Sequence, residues 1–262
     1  MINRELLNNI PPRVEIIGVP ISAVNMKSCL NFIFDNWDAV QGNYICVSNV
    51  HTTVLAHDDP AYYQVQADSV LSVPDGKPLS VLGKKQYPEM DRVTGPDLMR
   101  EIFAASKDRK IRHYFYGTTQ ENLDALLSKI AADYPWVNVV GSEPSVFRPM
   151  REEEERALAD RINAVNPDVV WVALGAPRQE AFCHRNEGRI QGLMIGVGGA
   201  FNVVSGVIDE APQWVQNISM EWFYRLMKEP RRLFKRYLTT NSRFILLNLF
   251  GPHAGRRGKG KI

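Results

Sequence analysis

"VVWVALGAPRQE", residues 169–180, sets three local instructions side by side. The apolar, β-branched run Val169–Leu174 shows no polar alternation, so it reads as a strand buried on both faces. Gly175 then permits a sharp turn, and Pro177 suits the start of a helix over Arg178–Asn186. A strand that passes through a glycine turn into a helix is one β-α unit.

The same unit recurs along the chain. Further strands are predicted at Val14–Val19, Tyr44–Ser48, Ser69–Val73, His113–Gly117, Val137–Val140 and Leu193–Val197. Helices are predicted between them at Met26–Trp37, Thr52–Gln66, Pro96–Ala105, Gln120–Tyr134 and Arg151–Val165. This alternation predicts an α/β fold on a mostly parallel sheet. The chain has 262 residues and 45% hydrophobic content, enough for one large α/β domain with an appendage.

Other classes are disfavoured by what the sequence lacks. Cys29, Cys46 and Cys183 are widely spaced with no CxxC pair, which predicts neither a disulfide framework nor a zinc site and fits a reducing, cytoplasmic compartment. No signal-peptide core or bilayer-length apolar run is visible, so a chain that is neither secreted nor integral to a membrane is expected.

The net charge of +2 hides an asymmetry. Through Glu221 there are 20 basic residues against 28 acidic ones; from Trp222 onward there are 11 against one. That basic end, "EWFYRLMKEPRRLFKRY" (221–237) and beyond, interleaves aromatics with arginines and predicts two amphipathic helices divided at Pro230. Such helices suit an anionic membrane surface. Packing on the body through the apolar side is the alternative, and nucleic acid is not expected, because no HTH, RRM or KH signature occurs. The expected organisation is a catalytic core over 1–218, a membrane-associating appendage over 219–250 and a flexible basic tail over 251–262. Apolar appendage surface also leaves room for a homo-oligomer.

Ligands of a parallel sheet collect beyond the carboxyl ends of its strands. "CVSNVHTT" (46–53), "SVPDG" (72–76), "LGAPRQE" (174–180) and "IGVGGAFN" (195–202) all fall there. Asp75 sits in a Pro-Asp-Gly bend, where it serves either as a turn residue or as a carboxylate held for chemistry. Gly198 and Gly199 fit a phosphate-binding turn or close strand–helix packing, and the stretch is neither GxGxxG nor a Walker A loop. Gly175, Arg178 and Gln179 fit a helix start or a ligand contact. Arg92 suits either a diphosphate or an ion pair with Asp91 or Asp97. No HExxH and no Asp-x-Asp occurs, so a sugar-nucleotide transferase built this way would neutralise its leaving group with arginines.

Taken in order, "PDG" (74–76), "DRVTGPDL" (91–98), "YFYG" (114–117), "YPWVNVVG" (134–141), "LGAPRQE", "GVGGAFNVVSG" (196–206) and "EWFYRLMKEPRRLFKRY" resemble the WecG/TagA/CpsF glycosyltransferases, family 26. The resemblance implies a Rossmann-like core with helices on both sheet faces. It implies metal-independent, inverting transfer from a UDP-sugar to a polyprenyl-diphosphate-linked acceptor at the inner face of the cell membrane, with no cofactor. N-acetylmannosamine, its uronic acid and glucose are the sugars such enzymes move.

By position, Asp75 matches the family's general base and Asn49 an active-site asparagine. Arg92 and Gln179 match residues lining the nucleotide or diphosphate site, and Arg225, Arg232 and Arg236 match appendage arginines that close over it. Three positions depart from the pattern: Val47 for threonine, Asn202 for aspartate, and Glu210-Ala211-Pro212 for Arg-Ala-Pro. Loss of donor binding through the departures at Val47 and Asn202 would leave a non-catalytic, lipid-binding scaffold with a degenerate nucleotide fold as the competing reading.

Overall fold

The computed structural model describes residues 7–210, 212, 215, 224, 226, 227 and 230–251, with only the backbone described over 230–238. Eight strands and ten helices are described here. The strands are β1 (Arg13–Ile16), β2 (Val19–Ser22), β3 (Tyr44–Ser48), β4 (Leu71–Pro74), β5 (Arg112–Gly117), β6 (Asn138–Glu143), β7 (Val169–Ala173) and β8 (Leu193–Gly196). The helices are α1 (Met26–Asp35), α2 (Val50–Asp58), α3 (Pro60–Asp68), α4 (Lys77–Gly83), α5 (Gly95–Arg109), α6 (Gln120–Asp133), α7 (Glu152–Ala164), α8 (Arg178–Arg185), α9 (Ala200–Val204) and α10 (Pro230–Phe250).

Strands β3 to β8 form one sheet in the order β4-β3-β8-β7-β5-β6, and every pairing in it is parallel. The expected α/β architecture is therefore present. Its central strands are covered on both sides: along β7, Val169, Trp171 and Ala173 enter one core while Val170 and Val172 enter the other. That double burial explains why the run carries no polar alternation. Helices α1, α5, α6 and α9 close the first face; α2, α3, α4, α7, α8 and α10 close the second.

Two local expectations change. The predicted strand Val14–Val19 is a hairpin, with β1 and β2 paired antiparallel about Ile17 and Gly18, both at positive φ. The predicted helix Thr52–Gln66 is two helices, because Asp59 adopts an extended conformation, caps α3 and precedes Pro60.

The helix expected ahead of Pro230 lies largely outside the described residues, and the C-terminal helix α10 packs on α2. Phe244 and Leu247 are buried there, Arg243 forms a two-pronged ion pair with Asp58, and Thr240 approaches His51. Its other side leaves Ile245, Leu246, Leu249 and Phe250 exposed. No helix among the described residues is long and apolar enough to cross a membrane.

Candidate active site

The segments singled out from sequence meet at the carboxyl edge of the sheet. β3 and β8 are neighbours, yet α2 after β3 and α9 after β8 lie on opposite faces, which opens a crevice between the two loops. Asn49 follows β3 and caps α2: its Oδ1 accepts the N–H groups of His51 (3.0 Å) and Thr52 (3.3 Å). The capping box fixes this side chain and leaves its Nδ2 donors uncommitted to the cap.

Asp75 follows β4, and its N–H donates to the Ser48 carbonyl at 2.8 Å. The next residue, Gly76, lies so close to Asn49 that an added Cβ would stand 3.8 Å from both its Cα and its Cβ. The Pro-Asp-Gly bend is therefore a strand-to-helix junction: Pro74 ends β4 and Gly76 precedes α4.

Arg92 is drawn to the same place by the next hydrogen bond, from Val93 N–H to the Pro74 carbonyl at 2.8 Å. Of the two carboxylates considered as its partners, Asp91 pairs with Lys84 at 3.1 Å and accepts the Arg92 backbone N–H at 2.8 Å, and Asp97 pairs with Arg100 at 3.3 Å. Gly95, at the start of α5, then abuts the β8–α9 loop; a Cβ there would be 3.3 Å from the Val197 carbonyl.

From that loop the contacts run on to β7. Gly198, at φ +55, would place a Cβ 3.1 Å from Gln179 Oε1, and that same oxygen accepts the Gly175 N–H at 3.1 Å. Gly175 is at φ +77, a conformation that favours glycine. Asn49, Asp75, Arg92, Gly198, Gln179 and Gly175 thus form one continuous arc across five loops. Gln179 is 4% exposed, so it braces the two glycine loops from behind.

Gly199 precedes α9 with open space where a side chain would be, and Asn202, in α9, has a buried Oδ1 with no hydrogen-bond partner among the described residues. Val47 is packed in the core, and Glu210 pairs with Arg100 at 2.7 Å. Arg225 lies outside the described residues. Arg232 and Arg236 lie on the backbone of α10, with their side chains outside the description.

Sequence reasoning missed two participants. Gly95 was absorbed in a helix start, although a Gly-Pro pair there also permits close approach of a neighbouring loop. Glu180, read as part of a motif, is a buried carboxyl at 1% exposure, which burial pushes up to about 7. Beyond Gly175 lies a separate, largely apolar cavity of about 500 Å³, lined by Tyr62, Tyr116, Phe147, Leu174 and Arg178 among others. Among the described residues, no group of three His, Cys, Asp or Glu side chains is placed to hold a metal ion.

The profile of the glycosyl transferase WecG/TagA/CpsF family matches residues 14–257. The chain belongs to that family. It is a glycosyltransferase by that membership. The N-acetylglucosaminyldiphosphoundecaprenol N-acetyl-beta-D-mannosaminyltransferase of Bacillus subtilis (strain 168) is 30% identical over 227 residues, covering 86% of this chain and 86% of that protein. The protein of the same name from Bacillus spizizenii (strain ATCC 23059 / NRRL B-14472 / W23) is 30% identical over 197 residues, covering 74% of this chain and 75% of its own length.

Proposed function

We propose that this glycosyltransferase moves an N-acetylmannosamine-type sugar from a UDP-sugar to a polyprenyl-diphosphate-linked sugar, with inversion and without a metal ion. The observation that carries the reading is the arc itself: a carboxylate, an amide and a guanidinium held beside two glycine loops at a sheet crevice. The names of the two Bacillus relatives support the acceptor and the sugar.

In this reading the acceptor hydroxyl attacks the anomeric carbon while UDP leaves from the opposite face. The C–O bond to the acceptor forms as the bond to the diphosphate breaks, and Asp75 takes the hydroxyl proton late in the step. An ordinary carboxylate serves this role, because the hydroxyl acidifies as it bonds. Arg92 offsets the charge developing on the diphosphate, with appendage arginines as further cations. The unsatisfied Asn202 Oδ1 is an acceptor suited to the imide N–H of uracil. Asn49 offers its Nδ2 to the sugar or the acceptor.

The acceptor's lipid requires a membrane nearby. The exposed apolar side of α10 suits contact with the inner surface of the cell membrane. A transfer assay with UDP-ManNAc, UDP-ManNAcA and UDP-glucose on a GlcNAc-diphosphate-lipid tests the whole reading. Transfer from UDP-ManNAc is expected; preference for another donor corrects the sugar, and no transfer from any of them rejects the substrate pair.

A further inference from the structure

Glu180 lies directly behind the glycine loops. Its Oε1 accepts from Gln179 Nε2 at 2.9 Å, while its Oε2 is buried and the Tyr62 phenol stands against the carboxyl. An acceptor at that point decides which end of the Gln179 amide faces forward: the nitrogen turns to Glu180, so the oxygen turns to the Gly175 N–H and lies beside Gly198. With the amide reversed, the Gly175 N–H would meet an NH₂ group and lose its acceptor.

We propose that Glu180 is a positioning residue for the donor diphosphate, one that holds the Gly175 and Gly198 loops through the Gln179 amide and takes up a proton as the diphosphate binds. This rests on reading the crevice as a UDP-sugar site.

The surroundings of the carboxyl explain the coupling. The groups facing it are Tyr62 of α3, Cys46 of β3 and Cys183 of its own helix; burial pushes the phenol and both thiols upward, so each stays neutral. The Tyr62 phenol and the Gln179 amide partly offset burial by favouring the carboxylate. None of them supplies a positive charge. Burial likewise raises Glu180 itself to about 7, which puts its ionisation within reach of ordinary working pH. A carboxylate behind the crevice repels a diphosphate in front of it, whereas the acid does not. Raising the pH through that range therefore weakens donor binding.

The test is calorimetric titration of the full chain with UDP at about pH 6 and about pH 8, on wild type, Glu180→Gln and Glu180→Ala. The ionisation of UDP is common to all three, so differences between them report on the protein. Wild-type affinity is expected to fall about three- to tenfold more than that of Glu180→Gln between the two pH values. Wild type is also expected to take up more protons on binding, read from the enthalpy in buffers of different ionisation heat. Glu180→Ala, which releases the Gln179 amide, binds weakly at both pH values while keeping a native circular dichroism spectrum.

Equal pH dependence in wild type and Glu180→Gln, with UDP bound, overturns this inference alone. So does wild-type affinity in a folded Glu180→Ala. If Glu180→Ala does not fold, the wild-type and Glu180→Gln pair decides the matter. Wild type that fails to bind UDP at either pH overturns the donor reading as well.

Discussion

The N–H of Asp75 donates to the carbonyl of Ser48 at 2.8 Å, which fixes the first residue beyond β4 against the last residue of β3. That bond sets Asp75 beside Asn49, and the Val93 N–H bond to Pro74 adds Arg92. Asp75 and Arg92 are thus placed by main-chain bonds, whereas Asn49 is held by its own side-chain cap on α2. Substituting Asp75 or Arg92 should therefore keep those main-chain bonds, while substituting Asn49 also removes a helix cap.

Docking of α10 rests on apolar burial more than on charge. Phe244 and Leu247 are buried against the second core, and removing either side chain should weaken that contact by about 2–5 kcal/mol. The Arg243–Asp58 pair is substantially exposed, so Arg243→Ala should cost no more than about 1 kcal/mol. Limited proteolysis checks this: the double variant Phe244→Ala/Leu247→Ala should be cut in α10 much faster than Arg243→Ala, with the thermal transition of the sheet domain retained.

Two buried groups should give opposite pH slopes. His113 is fully satisfied as a neutral ring, accepting from Trp171 Nε1 at 3.1 Å and lying 2.8 Å from Ser106 Oγ. Burial lowers it from 6.5 to about 3, so the unfolded chain binds the proton first and stability is lost as pH falls below about 6.5. Glu180 is raised from 4.5 to about 7, so the unfolded chain ionises first and stability is lost as pH rises above about 4.5. One proton corresponds to about 1.4 kcal/mol per pH unit, and between these limits the two slopes oppose.

Urea unfolding across that range should separate them. Relative to wild type, the deficit of His113→Phe should shrink as pH falls, and Glu180→Gln should gain as pH rises. Parallel curves for all three proteins would contradict both assignments.

How much of this was legible depended on how local its cause is. The β-α alternation was readable because parallel strands buried on both faces, such as Val169–Ala173, need unbroken apolar runs. The hairpin at Ile17 and Gly18 was not, since Ile-Gly is not one of the Asn-Gly or Asp-Gly pairs that signal a tight hairpin turn. Asp75 and Asn49 could be named from sequence, but their proximity could not: β3 and β4 are neighbours through strand order, which no local pattern encodes. Glu180 was hidden for a different reason. An acid in the first turn of a helix ordinarily faces solvent, and the packing of α3 and β3 on α8 buries this one.

The exposed side of α10 makes a prediction about membranes. Leu249 and Phe250 are each 71% exposed, on the side of the helix away from Phe244 and Leu247. Replacing both with glutamate should reduce sedimentation with anionic vesicles by at least about tenfold, since each buried side chain of that size contributes about 1.5–3 kcal/mol. Undiminished sedimentation would show that this side does not contact lipid.

The most direct test of the central claim is Asp75→Asn, in which single-turnover transfer and UDP affinity are measured on the same preparation. The isosteric amide keeps the Ser48 bond, which uses the backbone, and replaces the carboxylate. Turnover should fall by roughly 10²–10⁴-fold, the size of a general-base contribution, with UDP affinity unchanged. Turnover within about twofold of wild type would contradict the assignment of Asp75 as the base.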